Sequence, residues 1–322
     1  MTRRYVMDFE RPLVELEEKI AELRALDLSD KPDLLLEISA LAEDVRRLRH
    51  DTYEHLTPWD RVQISRHPAR PKTQDYVATL FDDVIELHGD RAYGDDEAIF
   101  AGLATIADRR VVVLGHRKGK TTKENIRRNF GSPHPEGFRK AMRVMRLADR
   151  FGLPIVSFLD TAGAFPGIEA EERGQALAIA ESLAVLSAVR VPVVVIGIGE
   201  GGSGGALAIG FGDRMIMLEN SYYSVISPEA CASILYKDSA HAETAASCLK
   251  MTAEDLVALG IIDEIVPEPL GGAHRDTQAV YDAVAQRITS ALEAFSGIDS
   301  EELVRRRYER LRAIGVFERT GA

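Results

Sequence analysis

Cysteine is scarce: Cys231 and Cys248 are the two in 322 residues. They form neither a C-x-x-C pair nor a disulfide framework, and two thiols cannot build a four-ligand zinc site. No metal is expected in this chain, and two free thiols suit a reducing cytosol. Long apolar runs are missing as well. The longest reach about eight residues, as at 191–198, far below the ~20 needed to span a bilayer. The opening MTRRYVMDFERP has charge but no apolar stretch behind it, so no secretory leader is expected. Positive charge is in deficit, 40 Lys and Arg against 51 Asp and Glu, for a net charge of −11. Such a surface as a whole repels nucleic acid and anionic membranes. Together these absences predict a cytoplasmic protein without membrane contact.

What is present is ordinary globular material, 45% hydrophobic, in a chain long enough for one large domain with appendages. Leu13, Leu16, Ile20 and Leu23 recur at helical spacing over 12–27. After Ser29-Asp30-Lys31-Pro32, with Asp30 as cap and Pro32 in the first turn, a second stripe follows: Leu34, Ile38, Leu41, Val45, Leu48. This predicts a helical hairpin whose apolar faces need a cover, either the main body or another subunit. A Pro- and Arg-containing connector follows over 58–71. Then come a β-hairpin (98–106 and 110–115, turning at Asp108-Arg109), helix 135–151, strand 154–159, helix 170–189 and strand 192–198. After a loop over 199–205 come a short helix and strand 214–218, and helices return at about 276–295 and 299–313. Continuously apolar strands joined by helices imply buried, mostly parallel pairing.

The segment VPVVVIGIGEGGSGGALAIGFGDRMIMLE (191–219) matches several motifs at once. Gly197, Gly199 and Gly202 fit G-x-G-x-x-G, with Glu219 twenty residues beyond Gly199, as in a dinucleotide-binding turn. Gly201, Ser203 and Gly205 fit the G-x-S-x-G nucleophile elbow. Gly204-Gly205-Ala206 at a helix start offers backbone N–H groups to an oxyanion, because residues with little or no side chain let an oxygen come close. Glycines that only permit tight helix–sheet packing would look the same. A dinucleotide fingerprint usually sits on the first strand of its domain, whereas two or more β–α units precede this one. A hydrolase needs a base, and His241 and His274 have no evident partner motif. The backbone-amide site survives every reading.

Gly115-His-Arg-Lys-Gly119-Lys120-Thr121 approaches a P-loop but has three residues between its glycines where four are required. Around it, Arg117, Lys118, Lys120, Lys123, Arg127 and Arg128 against the single acid Glu124 give +5 over twelve residues. That run is a candidate anion patch for a CoA phosphate, an acidic partner surface or RNA, or a solvated charged face.

The loop DTAGAFPG (160–167), EERGQ (171–175), GEGGSGGALAIG (199–210), YSVISPEACASIL (223–235), PEPLGGAH (267–274) and GHRKGKTTKENIRRNFG occur in one order. Together with the start at Asp8-Phe9-Glu10, they resemble the family of carboxyltransferase α subunits of multi-subunit acetyl-CoA carboxylase over nearly the whole chain. One departure is Ala162, where relatives carry proline, so that loop is expected to be less rigid. The resemblance implies an α/β, crotonase-like superhelix of ββα units over 58–270. An N-terminal helical hairpin (1–57) would precede it and a C-terminal helical segment (271–322) would follow. It implies a β subunit of the same fold in an α2β2 assembly with the active site between the two, and zinc in the β partner. Biotin would arrive on a separate biotin carboxyl carrier protein charged by biotin carboxylase. This chain has no Met-Lys-Met attachment site, since Leu249-Lys250-Met251 is not one, and no ATP-grasp segment.

The implied reaction moves a carboxyl group from carboxybiotin to acetyl-CoA, giving malonyl-CoA for fatty acid synthesis. Charge develops on the thioester oxygen and on the ureido oxygen of biotin, and preorganised backbone N–H groups serve both. The decarboxylated biotin nitrogen can take the acetyl proton, so no side-chain base is required. Gly204, Gly205 and Ala206 are then the expected oxyanion hole, walled by Gly163 and Ala164. Ser203 would be a helix-cap or turn residue, and Tyr223, Ser224, Val225, Ile226 and Ser227 would approach biotin. Two alternatives stand beside this reading. One is a crotonase-fold serine peptidase of the Clp type using Ser203. The other is an RNA- or protein-binding module through 117–128.

Overall fold

The computed structural model describes residues 5–25 and 32–315. One sheet organises the chain. Its strands are β1 (Asp82–Glu86), β2 (Ile99–Ile106), β3 (Arg109–His116), β4 (Ile155–Thr161), β5 (Val193–Gly202), β6 (Arg214–Leu218), β7 (Tyr222–Ser224) and β8 (Glu264–Val266). Their order is β1-β2-β3-β4-β5-β6-β8, with β7 paired to the far end of β5. The first three strands are antiparallel and every later pairing is parallel.

The continuous apolar runs are explained by helices on both faces. Val194, Ile196, Val156 and Phe158 face one core, closed by Tyr76 of helix Thr73–Leu80 and by Val284 and Ile288 of helix Thr277–Ala294. Their neighbours Val193, Val195, Ile155 and Leu159 face the other, closed by Ala141, Val144 and Met145 of helix Pro135–Phe151. Strand side chains alternate sides, so no position in β4 or β5 is left for solvent. Each fully buried aliphatic or aromatic side chain contributes about 1.5–3 kcal/mol.

The two N-terminal stripes cover each other. Leu13, Ile20, Ile38 and Val45 form a separate core with Leu16, Leu23, Leu34, Leu41 and Leu48, between helices Arg11–Arg24 and Pro32–Glu54. The expected break at Ser29-Asp30-Lys31, with the Asp30 cap, lies outside the described residues, as do the last two residues of the expected helix 12–27.

Several expected boundaries shift. The 58–71 connector opens with a helix, Pro58–Ser65, started by a Thr57–Asp60 capping box. The hairpin turns at Ala107-Asp108, both at positive φ (46° and 63°), the geometry that matches a two-residue turn to strand twist. Helix 170–189 is two helices, Ile168–Glu172 and Gln175–Ala188, because Gly174 sits at φ +81° between them. The loop expected over 199–205 is strand to Gly202 and helix from Ser203.

Candidate active site

Parallel strands present their ligand-facing groups at their carboxyl ends, and β3, β4 and β5 end side by side. Between β4 and β5 the register slips: Leu159 faces Gly197 but Thr161 faces Gly201, so β5 carries extra residues opposite Asp160. The irregularity re-aims side chains and brings Asp160 and Glu200 together at Lys118, just past β3. Lys118 Nζ donates to Asp160 Oδ1 and to Glu200 Oε1, both at 2.7 Å. The other Glu200 oxygen accepts from Arg66 Nε at 2.7 Å and Tyr222 Oη at 2.8 Å. Burial alone would push the Glu200 carboxyl up, but Lys118 and Arg66 outweigh it and hold it at about 2. The same carboxylates raise Lys118 against its own burial. Arg66, Arg70, Lys72 and Lys118 line a cavity of about 350 Å³ with Asp160 and Glu200.

Beside this cluster, the chain passes from β5 into the short helix Ser203–Leu207. Ser203 has φ +52°, a left-handed conformation unusual for a side-chain-bearing residue. Glycine at 202 and at 205 is a steric requirement. A Cβ on Gly202 would lie 2.0 Å from the Ala162 oxygen, and one on Gly205 would lie 2.4 Å from both the Gly163 carbonyl carbon and the Ala164 nitrogen. The two loops 160–167 and 199–205 therefore touch backbone to backbone, with Gly163 and Ala164 against Gly205.

The helix start refines the expected hole. Helical bonding runs from N–H(i) to C=O(i−4), leaving the amides of the first turn without a partner. Gly202 is the N-cap, Gly204 is half-buried, and Gly205 and Ala206 are buried. On that rule the first-turn amides of Gly204 and Gly205 are the candidate donors, and the Ala206 N–H, one residue further in, is expected to pair along the helix. Gly202 holds the N-cap position, and Ser203 opens the helix. Its exposed hydroxyl has the elbow geometry without a base: among the described residues no histidine bonds it. His274 stacks on His67 at 3.7 Å, and His241 packs near Tyr236.

The other motif matches are occupied by the chain itself. Glu219 accepts the Glu268 N–H at 2.9 Å. In the P-loop look-alike, the Gly119 N–H goes to Asn125 Oδ1 and the Lys120 N–H to Glu124 Oε2, both at 2.7 Å. The anion patch is largely compensated. Arg117 pairs with Glu86, Lys118 with Asp160 and Glu200, Lys120 with Asp75, and Arg127 with Glu97. Arg128 donates to the Lys118 carbonyl at 3.2 Å, and Lys123 stands exposed in helix Thr122–Arg127. The net +5 of the run thus overstates the free positive charge at the surface, and the RNA reading loses its basis.

Of the expected biotin-facing stretch, Tyr223 and Ser224 belong to β7, and the Tyr223 ring fills the space a Gly201 side chain would need. Val225 is exposed and Ile226 half-buried. Ser227 accepts the Ala230 N–H as cap of helix Pro228–Leu235. Sequence reasoning missed Arg66, Asp160, Glu200, Tyr222 and His116; the signal available for His116 was its place at the end of an apolar strand.

The family model described as acetyl co-enzyme A carboxylase carboxyltransferase-like matches residues 6–315. The chain belongs to this family. Relatives include acetyl-coenzyme A carboxylase carboxyl transferase subunit alpha of Thermus thermophilus, 53% identical over 311 residues (97% of this chain, 98% of the relative). The same-named subunit of Oceanobacillus iheyensis is 52% identical over 312 residues, at the same shares of each chain. Among solved structures, transcarboxylase 12S superposes with TM-score 0.58 at 19% identity, over 70% of this chain and 42% of that one. The Pseudomonas malonate decarboxylase hetero-dimer gives 0.55 at 19%, over 68% and 89%. The crotonase-like α/β fold of these carboxyltransferase-family neighbours is the fold of this chain.

Proposed function

We propose that this chain is the α subunit of an acetyl-CoA carboxylase carboxyltransferase and supplies one of two oxyanion holes through the Gly204 and Gly205 amides. The observation that carries the site is the side-chain-free contact of Gly205 with Gly163 and Ala164, where a Cβ would collide at 2.4 Å. Two backbone N–H donors at a helix start suit a carbonyl or ureido oxygen that gains negative charge, and they need no reorganisation during the reaction. Biotin, carried by a separate protein, supplies the transferable carboxyl group. The chain's own part is to bind and polarise an oxygen, with loops 160–167 and 199–205 holding it in place. Among the described residues no side-chain base stands at Ser203, which fits a reaction whose proton acceptor is not a protein group and disfavours a serine peptidase.

A β subunit with a zinc ribbon, in an α2β2 complex, would complete the site; carrier protein and biotin carboxylase would complete the enzyme. The exposed Val225 and the half-buried Ile226, beside β7, are the side chains of the 223–227 stretch best placed to meet biotin. The deciding experiment is co-expression with such a β partner and assay of acetyl-CoA carboxylation, and of malonyl-CoA decarboxylation with biotin. Activity in the complex alone is expected. Activity of the isolated chain, or an inactive but stable complex, would sink the reading.

A further inference from the structure

His116 is the last residue of β3, fully buried, and both of its ring nitrogens are engaged. A carbonyl can only accept, so the 3.0 Å contact to the Gly205 oxygen requires the proton on Nε2. Nδ1 is then the acceptor for the Asp160 N–H, at 3.4 Å. On its other side the His116 carbonyl accepts from the Thr73 hydroxyl, anchoring the strand end itself.

We infer that His116 is a positioning residue for carboxyl transfer, one ring setting the spacing between the two loops whose backbones form the oxyanion hole. The inference rests on the hole proposed at Gly204 and Gly205. Its physical basis is that glycine backbones facing one another carry no side chains to key them together. Glycine also resists rotation of its own dihedrals least of all residues. Left to themselves, 160–167 and 199–205 could slide by a fraction of an ångström, and misplacement of about 1 Å costs roughly 10²-fold in rate. The ring removes that freedom: it fixes the Gly205 carbonyl, and so one end of the residue donating to the oxyanion, against the backbone where β4 gives way to Gly163 and Ala164. Burial lowers the ring to about 3, with the Gly205 bond opposing, so it stays neutral and keeps this tautomer at working pH. The side chain faces backbone on both sides, so its role is support rather than proton transfer.

The test uses the full chain in complex with its β partner and follows malonyl-CoA decarboxylation with biotin, alongside hydrogen exchange over 160–166 and 203–210. His116→Phe should lower kcat by about 10²-fold while KM for malonyl-CoA stays within about two-fold, the pattern of a lost transition-state contact. Exchange should rise in both segments together. Ser182→Ala removes a comparable buried bond, 2.6 Å to the Ala208 carbonyl, without touching either loop contact, and should leave kcat unchanged. Gly205→Ala should be inactive. If His116→Phe keeps wild-type kcat while Gly205→Ala is dead, the positioning role is wrong and the hole stands. If both are active, the hole itself is wrong and takes this inference with it. Should the Phe variant fail to assemble, His116→Gln decides: reduced kcat with raised exchange supports the role, and wild-type kcat with raised exchange overturns it.

Discussion

At the scale of single residues, the site depends on charges that cannot be parted. Lys118 is shared by two carboxylates, with side-chain exposures of 15% for the lysine, 7% for Asp160 and 8% for Glu200. Removing one member of a buried ion cluster leaves uncompensated charge, at about 3–5 kcal/mol. Lys118→Met should therefore cost stability of that order in denaturant unfolding, and Glu200→Gln less, since Arg66 retains Glu229. If the proposed hole is the Gly204 and Gly205 amides, Ser203→Ala should keep activity within about three-fold; near-complete loss with an intact fold would contradict this. His116 also makes a pH prediction. Its folded value of about 3 lies below the ordinary 6.5, so the unfolded chain binds the proton first. Stability then falls as pH drops from 6.5 toward 3, by about 1.4 kcal/mol per pH unit for this group. The wild-type minus His116→Gln difference in unfolding free energy, followed from pH 6.5 to 4.5, should shrink at that slope. The glycines and the elbow at Ser203 were legible in sequence because backbone demands leave a local signature. The Lys118 pairs were not, since the acids lie 42 and 82 residues away and strand order alone brings them together.

At the scale of elements, legibility followed burial. Strands β4, β5 and β6 announced themselves because both faces are covered. The helices Pro58–Ser65 and Thr73–Leu80 and the edge strand β1 did not. Prolines disguised the first as a connector, and the acids Asp82, Asp83 and Glu86 break the apolar pattern of the last. The C-terminal helix Ser300–Arg312 reads as charged and solvated, yet Arg307 is 1% exposed. Its guanidinium donates to the carbonyls of Leu186, Val189 and Val191 and to Asp213, fastening the helix to the entry of β5. Arg307→Ala should lower stability by about 3–5 kcal/mol, leaving Asp213 and three carbonyls short of partners. Early exchange of residues 300–312 would accompany it; a change below about 1 kcal/mol would show the helix to be peripheral.

At the scale of the whole molecule, two hydrophobic units meet through a small polar joint. The N-terminal hairpin has its own core, and the sheet has its two. Between them stands Glu10, 2% exposed, which accepts from Tyr53 Oη and, at 2.8 Å, from Arg275. The Asp8 N–H adds a bond to Gln63 Oε1 at 3.1 Å. Local units open separately when few contacts join them, and these polar contacts stand beside the Tyr5–His67 ring contact at the joint. Arg275→Ala removes one partner of a buried carboxylate and should cost about 1–3 kcal/mol at the joint. Because each side keeps its own apolar core, the effect should be confined. Exchange should rise in 11–24 and 32–54, while β4 and β5 stay protected and the main thermal transition barely moves. Uniform loss of protection would instead mean that the hairpin and the sheet fold as one cooperative unit, with the joint an incidental contact inside it.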